Sequence, residues 1–325
     1  MWPCGCHAVR DEPMRDIETT RNRLVQWLDG PEAAAARHAI RATGTSPEAL
    51  SSSLIAITED PASAAGVVPL VEQARSRGQC AGDSVDIERW LLVRQAIDLL
   101  RSERIAMLGE ASRRLTCDDL VALLEDDRAA RTRLAVAGIR FRENAKMATG
   151  RRFSAGLFHW DVCGIRRSWI ARVPLRDLAG FGRALLKLGG VGPVMFPHLN
   201  PRRQCVRLEE PSISASLAVM AETMERNPEL RGFAAASWLR SPDTPRVSPH
   251  LAAINAPILA SGGFVTTVGP ASSDSGVFER SARRKQLYDD GIFTPTVGLV
   301  MWARRDMLRW WRSRHRHGLE MAFNV

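Results

Sequence analysis

The chain has 325 residues, which suits two domains better than one, and its hydrophobic content of 45% is enough to form buried cores. The formal net charge is +9, but 42 of the 45 basic residues are arginine, and the basic clusters are not interleaved with aromatic residues as in RNA-binding modules. We therefore expect a globular protein that binds no nucleic acid. No apolar run reaches the ~20 residues of a membrane span. The first residues also lack the pattern of a secretory signal. We therefore predict a cytoplasmic protein without a membrane partner.

The six cysteines are scattered along the chain, as is usual in a reduced intracellular protein. Only Cys4, Cys6 and His7 stand close together. Because no second ligand pair follows at the spacing of a zinc site, we predict that these three residues hold no structural zinc. We interpret Cys163 and Cys205 as inert thiols, since a nucleophilic cysteine needs a histidine in contact with it.

The first half of the chain has the apolar spacing of helices. Helices are predicted over residues 16–28, 31–42, 49–57, 85–108 and 120–137. Pro31 and Pro47 are suited to first helical positions, and a sequence similar to a capping box, beginning at Thr116, is expected to open the last of these helices. This half shows no catalytic constellation. We assign residues 1–148 to a helical domain.

From about residue 151, short β-branched runs alternate with helical segments. Strands are predicted over residues 153–158, 168–173, 193–196, 232–239, 263–268 and 296–302, and helices over 177–188, 213–226, 249–261, 276–290 and 306–315. The first two strands have the pattern of an antiparallel pair, and no glycine-rich phosphate loop of the dinucleotide-binding or P-loop type follows any strand. The expected fold class is therefore α/β (α+β), with a mixed-sheet α/β domain over residues 149–325.

Three histidines of the second half follow a strand or begin a helix, where functional side chains tend to collect: His159, His198 and His250. On a strand, His159 and Asp161 point to the same side, so both can reach one metal ion. With His250 or His198 as a third ligand, they would form the site of an Fe(II)-dependent oxygenase. The alternative is an ordinary hydrogen-bonded histidine and aspartate at the end of a strand.

Tyr288, the only tyrosine of the chain, is followed by Gly291, Ile292 and Phe293. This segment, residues 283–293, resembles the late helix of the GNAT acetyltransferases, in which a tyrosine precedes a glycine–phenylalanine turn and a strand. Residues 231–238 resemble the strand that binds the pantetheine arm in that family. The family's glycine-rich pyrophosphate loop is absent, and the segment 241–249 stands in its place. Residues 227–232 and 237–238 also resemble an uncharacterised bacterial family.

The resemblance to the GNAT family implies an acyltransferase that moves an acyl group from a thioester of coenzyme A or of a carrier protein to an amine or hydroxyl. It implies that Tyr288 is the general acid, in a cleft where two neighbouring strands diverge. The residues expected to contact the cofactor are Ser237 and Trp238 along the acyl arm and Arg246, Arg283 and Arg284 at the phosphates.

The general base would be His198 or His250, because the unperturbed pKa of histidine lies near neutrality. The expected partners are a small-molecule acceptor and either an acyl carrier protein or a second copy of the chain. A non-catalytic protein that kept the acyltransferase fold and lost the cofactor loop is the remaining alternative.

Overall fold

A computed structural model describes residues 16–59, 73, 87–125, 138–203, 208–272, 276–278 and 281–316. The chain divides into two compact units, one within Asp11–Ser154 and one within Ala155–Val325. Four residues with predicted roles lie outside the described residues: Cys4, Cys6, His7 and Cys205. Within the described ranges, no helix is long and apolar enough to cross a bilayer.

The described part of the first unit is helical up to residue 148. Its helices are α1 (Ile17–Leu28), α2 (Pro31–Arg41), α3 (Pro47–Glu59), α4 (Ile87–Leu100), α5 (Glu103–Ala106), α6 (Glu110–Glu125) and α7 (Gly138–Ala148). Helix α4 is the centre of this unit, since α1, α2, α3, α6 and α7 all pack against it and almost all of its residues are buried. The prediction that strands begin only after residue 150 is confirmed for the residues described.

Two predictions for this unit are wrong in detail. The segment at Thr116 does not begin a helix but lies inside α6, where the Thr116 hydroxyl donates a hydrogen bond to the carbonyl of Ser112 over 2.8 Å. A threonine within a helix can make this bond to the preceding turn, so the same polar residue fits a cap or an interior position. The single helix predicted over 85–108 is interrupted between α4 and α5.

The structure contains one six-stranded sheet among the described residues. The strands are β1 (Arg152–Ala155), β2 (Phe158–Cys163), β3 (Val194–Leu199), β4 (Gly232–Ser237), β5 (Phe264–Pro270) and β6 (Thr296–Ala303). The helices are α8 (Arg167–Ile170), α9 (Leu178–Leu188), α10 (Glu210–Arg226), α11 (Thr244–Val247), α12 (Ala256–Ala260), α13 (Ala282–Asp289) and α14 (Arg304–Arg316). Short 3-10 helices cover Leu175–Asp177, Pro201–Arg203, Trp238–Arg240 and Pro249–Ile254.

The strand order in the sheet is β1-β2-β3-β4-β6-β5. Strand β2 pairs antiparallel with β3, and β6 pairs antiparallel with both β4 and β5, whereas β3 and β4 run parallel. A parallel pair needs a crossover connection, and α10 lies in the connection between β3 and β4. The sheet is therefore mixed, and the predicted α/β (α+β) fold class is confirmed.

One face of the sheet is covered by α9. Its residues Phe181, Ala184 and Leu188 form a buried apolar cluster that includes Ala234 of β4 and Leu299 of β6. These helix positions recur at spacings of three and four residues, so they form one stripe along α9. The stripe fixes this helix over the middle of the sheet.

The opposite face of the sheet carries larger aromatic side chains. Trp302 of β6 is fully buried, and its ring makes edge contacts with Phe233 of β4, at 6.4 Å between centroids, and with Trp310 of α14, at 5.2 Å. Aromatic pairs in this arrangement contribute beyond the burial of their area. They hold α14 against this face.

Several predicted elements of the second unit differ from the structure. The strand predicted over 153–158 is interrupted between β1 and β2, and the helix predicted over 249–261 is divided into a 3-10 helix and α12. Residues 168–173, predicted as a strand, form α8 and a following turn, and Trp169 and Val173 pack into the cluster under α9. A short apolar run does not distinguish a strand from a helical turn, so tertiary packing decides. The helix predicted over 276–290 begins only at Ala282, because the Ser281 side chain accepts a hydrogen bond from the Arg284 amide and caps it there.

Candidate functional site

The parallel pair β3 and β4 is in register at one position, Met195 opposite Phe233, close to the start of both strands. By contrast, β2 and β3 pair from Phe158 to Cys163 along the whole of β2. The carboxyl half of β3 contains Pro197, which has no amide hydrogen to donate to a neighbouring strand.

A histidine and an aspartate meet between β2 and the carboxyl half of β3. The Nε2 atom of His198, in β3, lies 3.1 Å from Oδ2 of Asp161, in β2. Asp161 is opposite Phe196 in register, so its carboxylate reaches diagonally to a side chain on the same face of the sheet. The side chains are 35% exposed for His198 and 20% exposed for Asp161, so the pair is held by the sheet but accessible from outside.

The hydrogen bond determines how the imidazole of His198 can act. An ionised carboxylate only accepts hydrogen bonds, so in the neutral imidazole Nε2 carries the proton and Nδ1 is the basic nitrogen. A carboxylate in this position fixes the tautomer and the orientation of the ring, as in catalytic triads. The pair therefore has the arrangement of a general base and the residue that orients it.

His198 is also the first of three rings that lie along the same face of the sheet. We call these rings the aromatic strip: His198, Phe196 and Trp169. The centroids of His198 and Phe196 are 5.2 Å apart, and Phe196 stacks on Trp169 at 5.6 Å. The guanidinium of Arg166 lies 5.3 Å from the Trp169 ring centroid. All three rings are half-buried. The strip offers a partly accessible apolar surface that ends at the imidazole.

The other face of the sheet holds a buried arginine, Arg240, at the end of the 3-10 helix after β4. Its guanidinium lies over the rings of Phe158, at 5.6 Å, and Phe233, at 5.4 Å. Its Nη1 atom donates to the carbonyl of Ile254 over 2.8 Å and to Oδ1 of Asn255 over 3.2 Å. Burial alone lowers the pKa of Arg240 to about 9. No described carboxylate forms an ion pair with it.

The structure brings together two of the residues predicted to contact the cofactor. The guanidinium of Arg284 lies 4.8 Å from the ring centroid of Trp238, and both side chains are buried. Arg284 donates from Nε to the carbonyl of Val277 and from Nη1 to the hydroxyl of Ser248. Burial lowers the pKa of Arg284. Ser237, at the end of β4, is half-buried next to Trp238.

The remaining predicted residues lie on the surface of the second unit. The side chain of Arg246 is 82% exposed and pairs with Asp243 at 3.5 Å, and Arg283 and His250 are also exposed. Tyr288 is 48% exposed on α13, and its ring contacts Phe278 at 5.0 Å. Helix α13 connects the two strands at one edge of the sheet, β5 and β6.

The residues of the oxygenase alternative are only partly together. His159 and Asp161 lie on one face of β2, as predicted from their spacing, and His159 is opposite His198 in register. Asp161 is bonded to His198, and His250 lies in the 3-10 helix Pro249–Ile254. Among the described residues, no three histidine, cysteine, aspartate or glutamate side chains are grouped to hold a metal ion.

Cys163, at the end of β2, is also near the pair. Burial raises the pKa of its thiol, the negative charge of Asp161 adds to this, and the positive charge of Arg166 opposes it. A raised pKa disfavours the thiolate, which is the form that acts as a nucleophile. The environment of Cys163 therefore favours the neutral thiol.

Sequence reasoning missed Phe196, Trp169 and Arg240. The alternation of side chains along β3 could have indicated Phe196, because residues 196 and 198 lie on the same face of a strand and His198 was already a candidate. Trp169 was assigned to a strand instead of α8. Arg240 gave no signal, since it follows a strand in a polar segment that resembles a surface loop.

Comparisons with protein-family models, with curated proteins and with solved structures found no match to this chain.

Proposed function

We propose that the second unit is a cytoplasmic acyltransferase that moves an acyl group from a thioester, carried by coenzyme A or an acyl carrier protein, to an amine or hydroxyl of a small molecule. The observation that carries the proposal is the Asp161–His198 pair beside the parallel strands β3 and β4, for which the described residues give one register position. We infer an opening between the carboxyl halves of these strands, next to the oriented base. The GNAT-like segment around Tyr288 supports the same reaction class.

In the proposed reaction, Nδ1 of His198 takes the proton of the attacking amine or hydroxyl. The nucleophile adds to the thioester carbonyl, the C–S bond breaks, and the departing thiolate takes up a proton to become the free thiol. Asp161 stabilises the imidazolium that forms, because its carboxylate faces the protonated Nε2. General base catalysis of this type is worth about 10²–10⁴-fold in rate.

The thioester arm would lie between the carboxyl halves of β3 and β4, where backbone groups are not used in pairing between the two strands. Ser237 stands at the end of β4 on the border of this opening. In the GNAT resemblance the departing thiolate takes its proton from Tyr288, and we assign that step to this residue. The apolar part of the acceptor would rest on the aromatic strip, with its nucleophile at His198.

A thiol-release assay tests the proposal. The full chain is incubated with a panel of acyl-coenzyme A thioesters and with pooled amines and alcohols, and free thiol is measured. His198→Ala should lower thiol release by about 10²–10⁴-fold. Asp161→Asn should also lower it strongly, because an amide can donate to Nε2 and hold the imidazole in the wrong tautomer. The matched control is His250→Ala, at an exposed histidine outside the Asp161–His198 pair, which should keep the wild-type rate.

Two results would contradict the proposal. One is a wild-type protein that releases no thiol from any thioester in excess of the uncatalysed rate, including thioesters on acyl carrier proteins. The other is equal thiol release by wild type and His198→Ala. Either result would favour the non-catalytic alternative for this fold.

A further inference from the structure

Arg240 is a charged side chain that the protein buries without neutralising it. Only 3% of the residue is exposed, and burial is the sole cause of its lowered pKa, so no neighbouring charge compensates for it. Burial of an unpaired charge is unfavourable, and buried arginines are normally paired with an acidic group. The two Phe rings on which it lies give only part of that compensation.

The hydrogen bonds of Arg240 leave one edge of its guanidinium unused by the described residues. Both of its side-chain bonds to the protein start from Nη1. The Nε and Nη2 atoms form the edge that binds a carboxylate through two parallel hydrogen bonds. Arg284 is a useful contrast, because it is also buried over an aromatic ring but gives its Nε atom to the carbonyl of Val277.

We propose that Arg240 binds the carboxylate of a ligand through Nε and Nη2, on the face of the sheet that carries Phe158 and Phe233. A carboxylate fits this position better than a phosphate dianion, since one guanidinium balances one negative charge in apolar surroundings. Phe158 and Phe233, which are themselves buried, hold the guanidinium in this position. This binding site does not depend on thioester chemistry.

Binding of simple carboxylates to the full chain tests the proposal. Acetate, succinate and glutarate are titrated at constant ionic strength, with inorganic phosphate as a separate arm, and the melting temperature and heat of binding are recorded. The carboxylates should raise the melting temperature of the wild type in a concentration-dependent way. Arg240→Met should lose this shift, and Arg176→Met, at an arginine whose side chain is 82% exposed, should keep it.

A second variant serves if Arg240→Met does not fold. Asn255→Asp places a carboxylate beside the Nη1 atom, which lies 3.2 Å from the present Asn255 Oδ1, so Arg240 is neutralised within the protein. We expect carboxylate affinity to fall by about tenfold or more, because charge-assisted pairing with the ligand then competes with an internal partner. The proposal is overturned if the wild type binds no carboxylate, if it binds phosphate only, or if either variant binds carboxylates as the wild type does.

Discussion

The substitution Gly298→Ala tests how Arg240 is positioned. Gly298 lies in β6, opposite Ser237 of β4 and Thr267 of β5, so it has a strand on each side. A Cβ atom at this position would lie 2.3 Å from the carbonyl carbon and oxygen of Arg240 and 2.4 Å from the amide nitrogen of Ser241. The absence of a side chain therefore allows the turn after β4 to pack directly on β6.

The size of the effect follows from this geometry. The atoms that a methyl group would meet belong to the backbone, and they would have to withdraw by about 1 Å to reach van der Waals distance. Overpacking of this kind usually costs about 1–3 kcal/mol. Alanine also restricts the backbone of the unfolded chain, which offsets at most about 0.4–1 kcal/mol of this cost. We therefore expect Gly298→Ala to destabilise the second unit by about 1–2 kcal/mol.

Urea unfolding, followed by circular dichroism and tryptophan fluorescence, measures this change. With a typical slope of about 1–3 kcal/mol per M, the midpoint of the second unit should fall by roughly 0.5–1 M. Gly182→Ala is the matched control, because it lies in α9 and a Cβ atom there would meet nothing within 4 Å. That variant should gain about 0.5–1 kcal/mol from helix propensity. A Gly298→Ala midpoint equal to the wild type would refute the close approach of Arg240 to β6.

Two further predictions concern Tyr288 and Cys117. If Tyr288 protonates the departing thiolate, Tyr288→Phe should lower thiol release by about 10²–10⁴-fold with an unchanged circular dichroism spectrum; full activity in this variant would remove Tyr288 from the mechanism. Burial raises the pKa of the Cys117 thiol from 9.0 to about 11, so its contribution to stability is complete below pH 9 and is lost as the pH rises to 11. Denaturant titrations at pH 8 and pH 11 measure the fall in the free energy of unfolding between these pH values. Cys117→Ala should make this fall smaller by about 2–3 kcal/mol, at 1.4 kcal/mol per pKa unit. An unchanged pH dependence would contradict the buried thiol.

Local signals predicted much of the second unit. The helix predicted over 177–188 ends at Leu188 in α9, where Gly189 follows with a φ of 72°, a conformation that glycine adopts readily. The alternation of β2 placed His159 and Asp161 on the same face, and the register confirms it. These predictions depend only on a few neighbouring residues. For that reason they did not need knowledge of the rest of the chain.

The partner of Asp161 could not be predicted in this way. Asp161 meets His198 because β2 and β3 pair antiparallel in one register, and a shift of one residue would place His198 on the other face. The 30-residue stretch between these strands contains no local signal that fixes the register. The two residues were named as candidates from the sequence, but their hydrogen bond is a result of sheet pairing.

The role of Arg240 depends on residues even farther away in the sequence. Its position requires the glycine at 298, and its guanidinium lies on Phe158, which belongs to β2. Its hydrogen bonds go to residues 254 and 255. A sequence shows an arginine after a strand, and only the packing of four separate segments shows that this arginine is buried.

The most direct test of the proposed reaction is to observe His198 while a thioester analogue binds. The chain has seven histidines, so a sample with labelled histidine rings gives few signals, and His198→Gln identifies the one of interest. A non-hydrolysable acyl-coenzyme A analogue, with a methylene in place of the thioester sulfur, is added stepwise to the full chain. The account predicts that the His198 ring signal shifts with the fraction bound and that the His250 signal does not. Binding of the analogue without any change at His198 would contradict the account.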